Sequence, residues 1–297
     1  MFCFLLRKCG ALGYDLHNDE SRLVLSISVE RMGKDEEPDN IESNQHTQPR
    51  EEPSWLSTWL ARYFGKLPPY DFSRGGLCTQ SLLTVLKANA ADRGWRSLEI
   101  GGLLRQIGSL LNRQREDAGV CIRGSNRIED RTLGSVWSQT FEVRRALLVG
   151  LCYRDSLQLQ GSWNDVEDMQ SWLESENIFK RFEIRKLVDK PDGIEPCYVR
   201  REEILESLRW LLGGSDEPAQ LLFHFSGRGD GKKLLPSDES PQDSLISDFE
   251  LSEMISDLLP RNTTLTCIFD CRDGTTMLES LLGRQHVLAF GTTKSET

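Results

Sequence analysis

From residue 144 to residue 291 the chain switches repeatedly between two hydrophobic periods. ALLVGLCY (146–153) is an unbroken apolar run, suited to a strand buried on both faces. SWNDVEDMQSWLES comes next, with Trp163, Val166, Met169 and Leu173 on one helical side. FEIRKLV (182–188) reads as a strand. EEILESLRWLLGG turns Ile204, Leu205, Leu208, Leu211 and Leu212 inward and stops at Gly213-Gly214. AQLLFHFSG (219–227) predicts a strand, FELSEMISDLLP (249–260) a helix ending at Pro260, TTLTCIFD (263–270) a strand, and HVLAFG (286–291) a last short strand. This alternation predicts an α/β fold: an open, mostly parallel sheet with helices on both faces. Right-handed crossovers then bring the C-terminal ends of the strands to one edge, where sites in such folds lie. Three segments are singled out: the residues after Tyr153, the HFSGRGDG turn and the FDCRDG turn.

Residues 1–140 have another character and are read as an N-terminal extension, partly disordered and helical. Residues 31–54 hold almost no large apolar side chains and cannot offset the entropy of ordering, so they are read as a flexible linker. Trp55, Leu56, Trp59, Leu60, Tyr63 and Phe64 fall at helical spacing. Leu82, Leu83 and Leu86 predict a second helix, and Leu103, Leu104, Ile107, Leu110 and Leu111 a third. The aromatic stripe is a packing face rather than a ligand box.

Composition narrows the function classes. The 36 Lys+Arg against 46 Asp+Glu give a net charge of −10, which argues against general binding to nucleic acid. No apolar run reaches the roughly 18 residues that span a bilayer, and MFCFLLRKCG places its basic pair after a short apolar run, unlike a secretory signal. The eight cysteines include no CxxC pair and none at zinc-ligand spacing from a His. They are read as reduced thiols of a cytoplasmic protein. GRGDG lacks the spacing of a phosphate-cradling loop, and Arg228-Gly229-Asp230 is read as a coincidental integrin-type triplet.

The ordered set RALLVGLCY, GSWNDVEDMQSWL, ILESLRWLLGG, LLFHFSGRGDG, ISDFELSEMI and LTCIFDCRDGTTMLE resembles the metacaspases, caspase-type cysteine peptidases. The resemblance implies a caspase-like domain over residues 143–297. In that family the third strand ends in a His-aromatic-Ser-Gly-His-Gly turn whose second His is the general base. The fourth ends in Asp-(Ser/Cys)-Cys-His-Ser-Gly, with the central Cys as nucleophile. Here the first turn reads His224-Phe225-Ser226-Gly227-Arg228-Gly229, so Arg228 stands at the base position. Aligned without gaps, Arg272 stands at the nucleophile position, and Thr276-Met277-Leu278-Glu279 meets the family's Thr-x-Leu-Asp. A guanidinium, with pKa above about 12, is neither a base nor an acyl-forming nucleophile. This alignment implies a pseudopeptidase that acts by binding protein or peptide: an active metacaspase relative, or substrates containing Arg or Lys. A gapped alignment makes Cys271 the nucleophile of an active endopeptidase cleaving after Arg or Lys. It leaves no base at Arg228, and His224 is read as a packed, hydrogen-bonded imidazole.

The resemblance assigns Asp165, of the Asn164-Asp165 pair, and Asp270 to an acidic substrate pocket for Arg or Lys, which Arg228 or Arg272 could enter as an internal ligand. The blander readings are a helix N-terminal carboxylate for Asp165 and an ion pair with Arg272 for Asp270. The family's calcium-binding insert is reduced to GDGKKLLPSDESPQDSLISD. Asp230, Asp238, Asp243 and Asp248 lie in it, and Glu279 falls at a family ligand position. Nothing there arranges six to eight oxygens around one ion, so no metal and no cofactor is expected. The family's C-terminal small-subunit part is read as truncated after the last strand. That predicts an unpaired sheet edge, with three outcomes: marginal stability, cover by the N-terminal extension, or pairing with another chain.

Overall fold

A computed structural model describes residues 25–31, 75–91, 95–113, 118–124, 130–137, 141–153, 159, 161–175, 181–190, 197–213, 217, 219–229, 232–237, 244–260, 263–271, 274–278, 281 and 287–292. The elements are β1 (Leu25–Arg31), α1 (Leu77–Ala91), α2 (Ile100–Arg113), β2 (Ala118–Gly124), α3 (Leu133–Val136), β3 (Val143–Gly150), α4 (Ser162–Leu173), β4 (Glu183–Val188), α5 (Arg201–Leu212), β5 (Ala219–Ser226), β6 (Lys233–Leu234), β7 (Ile246–Ser247), α6 (Asp248–Leu258), β8 (Thr264–Asp270) and β9 (Val287–Thr292). Seven strands form one sheet in the order β2-β1-β9-β8-β5-β3-β4. Every neighbouring pair is parallel except β1–β2.

The period of two along the central strands divides the core into two layers. Ala146, Leu148, Leu222 and Ile268 pack with the helical residues Leu82, Leu86, Ile100, Leu103, Val136, Val166 and Met169 on one face. Leu147, Val149, Leu221, Phe223, Phe225, Leu265, Cys267 and Phe269 meet Ile204, Leu208 and Leu211 of α5 and Leu251 and Ile255 of α6 on the other. All eight residues of β5 are buried. This is why its sequence runs apolar without alternation. The predicted architecture, an open sheet covered on both faces, is the one observed.

The region before residue 140 differs from its helical reading. α1 and α2 cover the two helices expected there, but Leu25–Arg31 and Ala118–Gly124 are strands. LSISVER alternates apolar and polar residues over only seven positions, a weak signal beside the longer helical patterns. β1 lies parallel to β9, with Ser26 opposite Ala289, and pairs antiparallel with β2. The sheet therefore continues past β9 on strands from the N-terminal extension, the second of the three outcomes. The proposed linker beyond Arg31 and the Trp55–Phe64 helix lie outside the described residues.

Trp137, just after α3, ties the extension to the sheet. Its indole N–H donates to Thr266 Oγ1 on β8 at 3.0 Å, and its ring lies 6.3 Å from Trp95 and 5.2 Å from Trp172 between centroids. No helix among the described residues is long and apolar enough to cross a membrane. Trp137→Ala should lower stability by about 3–5 kcal/mol. Because α1–α3 share one core with the sheet, denaturant melts followed by far-UV signal and by tryptophan emission should move together to lower midpoints.

Candidate functional site

The register places the ends of three strands level. Gly150 of β3 is opposite Ser226 of β5, and Ser226 is opposite Asp270 of β8. The segments expected to carry the site therefore leave one edge together. Gly150 lets α4 begin against this edge, since a Cβ there would lie 2.6 Å from the Ser162 carbonyl oxygen. One turn into α4, Asp165 then reaches over the strand ends.

Asp165 and Asp270 are both buried, at 0% and 7% exposure. They are brought together, but not as an open pocket. Asp165 Oδ2 accepts the Gly76 backbone N–H and the Ser226 hydroxyl, each at 2.8 Å, while its Oδ1 accepts the Gln80 side-chain amide at 2.7 Å. Asp270 Oδ2 accepts the Thr79 backbone N–H at 2.8 Å. Gly76 immediately precedes α1, and Gln80 N–H bonds its carbonyl at 3.0 Å. Helices usually take a cap from a Ser, Thr, Asp or Asn side chain at their own N-cap. α1 has Gly there and takes its caps from a strand and another helix. A Cβ on Gly75 would overlap the Asp165 carboxylate, and one on Gly76 the Asp270 carboxylate. Only backbone fits. The α1 N-terminus presents N–H groups and a partial positive charge to the two carboxyl groups. Burial, and next the charge of Asp270, hold the Asp165 carboxyl well above the usual range. Burial likewise raises the Cys78 thiol, and Asp270 adds to it.

Thus Asp165 turns away from the N-terminus of its own helix and caps another. Sequence reasoning did not single out Gly75, Gly76, Thr79 or Gln80, because no chemical motif marks them. Their only signal is a Gly-Gly pair directly ahead of a helical period.

Arg228, which the sequence resemblance sets at the general-base position, is among the described residues. Its guanidinium carbon lies 4.4 Å from the centroid of the Tyr153 ring, within cation–π range. Its backbone N–H donates to Tyr153 Oη at 2.8 Å, and Tyr153 in turn donates to the Leu235 carbonyl. Tyr153 has φ of 53°, in the left-handed region. Asp189 fixes it there by accepting the N–H groups of Cys152 (2.9 Å) and Tyr153 (2.8 Å), together with the Trp163 indole N–H at 2.7 Å.

Cys271 is buried at 4% exposure and belongs to the apolar cluster that includes Tyr153, Phe269, Met277 and Leu278. This cluster lies across the sheet from the layer packed by α1 and α4. Strand alternation accounts for the separation, since Asp270 shares the face of Ile268. Arg272, Asp273 and Glu279 lie outside the described residues, as do Asp230, Asp238, Asp243 and His286. Asp248 of the acidic segment is described: it heads α6, and its carboxylate accepts the Leu278 N–H. Among the described residues no His, Cys, Asp and Glu side chains gather in a group able to hold a metal ion.

His224 is the imidazole of the described residues. It is fully buried, with Nε2 2.9 Å from Thr79 Oγ1 and Nδ1 without a hydrogen-bond partner. The packed, hydrogen-bonded role expected for it holds, through Nε2. Burial lowers its pKa from 6.5 to about 3, so it is neutral at physiological pH. The stability this neutral form supports is complete above pH 6.5 and is lost as the pH falls toward 3. Between pH 7 and pH 4 the wild-type chain should lose about 3 kcal/mol relative to His224→Gln. Urea midpoints of both proteins across that range measure the difference.

Comparison with known proteins matches the same region. Residues 144–281 fit the family model described as metacaspase, peptidase C14 domain. Metacaspase-1 of Schizosaccharomyces pombe is 31% identical over 145 residues, covering 44% of this chain and 34% of its own length. Metacaspase-1B of Neurospora crassa is 31% identical over 156 residues, 48% of this chain and 36% of its own. Metacaspase-1 of Botryotinia fuckeliana is 32% identical over 149 residues, 45% and 35%. The matched region spans about a third of the length of these relatives. With the level strand ends and the two turns in place, residues 144–281, just under half of the chain, match the metacaspase peptidase C14 domain.

Proposed function

We propose that this chain is a catalytically inactive metacaspase-type protein that acts by binding protein or peptide partners. The observation that carries the reading is Arg228 at the base position, with its guanidinium stacked on Tyr153. A group with pKa above about 12 cannot draw a proton from a thiol near neutral pH. Two further features support it. Cys271 sits in an apolar cluster on the face opposite Asp270, which supports the ungapped alignment, the one in which Arg272 stands at the nucleophile position. His224 is bound to Thr79, and burial disfavours its protonated form. The partners that fit are an active metacaspase relative or substrates containing Arg or Lys. A cytoplasmic setting, and a place in cell death by analogy with the family, belong to the same proposal.

The test is turnover of Arg- and Lys-terminated reporter peptides by the purified chain, with and without calcium, beside Cys271→Ala. Both proteins should leave the reporters intact under conditions where circular dichroism shows them folded. Cleavage abolished by Cys271→Ala would overturn the reading in favour of an active endopeptidase using Cys271.

A further inference from the structure

β4 ends the sheet: among the described residues it pairs with β3 and with no other strand. An edge strand turns every second N–H and C=O outward, open to a further strand. Arg181 lies just before β4, and Arg185 and Lys186 lie on it, exposed or half-buried, in a chain whose net charge is −10. Charges on an edge usually serve to keep a second copy from pairing. Arg185 is held in a way that this purpose does not require. Its guanidinium carbon lies 4.4 Å from the centroid of the Trp210 ring, and that of Arg145 lies 5.7 Å from the same centroid. Arg145 is engaged elsewhere: it pairs with Glu183 at 3.2 Å and donates to the Trp210 and Gly213 carbonyls at 3.3 and 2.6 Å. Arg185 meets no carboxylate and no hydrogen-bond acceptor among the described residues. Two cations thus share one ring, and one of them has a counter-charge. Stacking on Trp210 also fixes the Arg185 fork, so that binding an anion costs it little further rotamer freedom. The bond from Arg145 to Gly213 sets this cluster where β3 begins and α5 ends, away from the HFSGRGDG and FDCRDG turns.

We propose that the β4 edge is a docking strand for an extended acidic segment of a partner protein, which adds to the sheet beside β4 and sets a carboxylate on the Arg185 guanidinium. Backbone pairing supplies affinity, and the basic side chains choose the partner. The charges that repel a second β4 attract an acidic strand, so one device both excludes self-pairing and selects the ligand. Side chains alternate across a strand. A segment in which acidic and apolar residues alternate therefore puts its carboxylates on the α5 face with Arg185. Its apolar residues then fall on the face of Ile184 and Val188, which pack against the core there. This surface is separate from the turns on which the inactive reading rests.

The experiment titrates the full chain into a fluorescein-labelled peptide in which Glu alternates with Val. The same peptide with Gln for Glu, and an oligothymidylate of matched charge, are the controls. The Glu peptide should bind about tenfold or more tightly than either control, and Arg185→Gln should remove about tenfold of that affinity. Amide exchange along β4 should slow about tenfold or more in the bound state. If Arg185→Gln fails to fold by circular dichroism, the wild-type peptide comparison and the exchange measurement still decide. Four results would overturn the proposal: no binding at millimolar peptide, equal binding of the Gln peptide, binding that leaves the β4 amides exchanging at their free rate, or equal binding of the oligothymidylate, which would point to a nucleic-acid surface instead. Reporter cleavage in the turnover assay would remove the inactive reading and leave each of these outcomes unchanged.

Discussion

Burying two carboxylates side by side is the constraint on which the rest of this structure turns. Asp165 and Asp270 repel one another and have lost their hydration, so the fold must bring donors to them. It does so with a helix N-terminus, which has unsatisfied N–H groups to give. That choice constrains both the neighbouring sequence and the packing. The residues ahead of α1 must be glycines, because the carboxylates leave no room for Cβ. α1 must lie across the strand ends, and its apolar side, through Leu82 and Leu86, must then close one face of the sheet. A polar contact at one end of the helix thus orients an apolar contact along its length.

A similar coupling holds the other turn. Asp189 at the end of β4 accepts the N–H groups of Cys152 and Tyr153, which keeps Tyr153 in a left-handed conformation. Its ring and hydroxyl then define where Arg228 sits. Arg228 is therefore not a loose charge at the edge of the sheet. The guanidinium is packed on an aromatic ring whose own backbone is fixed from a third strand.

Most of the parallel sheet was legible in the sequence, because its strands are apolar runs separated by amphipathic helices with recognisable stops. Gly213 after α5 is one such stop. Two things were not legible. β1 and β2 are seven-residue strands whose partners lie far along the chain, so no local pattern announces them. The polar side of the central strands was also hidden. His224, Ser226, Thr266 and Asp270 interrupt runs that read as uniformly apolar, and they share the face of Leu222 and Ile268. Capping rules are written for residues near in sequence, whereas α1 takes its caps from positions 165 and 270. A donor and an acceptor so far apart leave no joint signature in one chain. The turns themselves were found because their residue types are chemically unusual beside the strands that carry them.

The pairing of β1 with β9 also sets an order of events. Ser26 lies beside Ala289, and β2 joins the sheet only through β1. On a growing polypeptide, β1 and β2 can meet as a hairpin-like pair long before β9 exists, with no central sheet to receive them. Strands β3, β5 and β8 can assemble in the meantime, with β8 as a provisional border. Of the seven strands, the one synthesised latest is the one that joins these two halves. Until it emerges, each half presents an open strand edge to the surrounding solution, which is the condition under which nascent chains most need a chaperone.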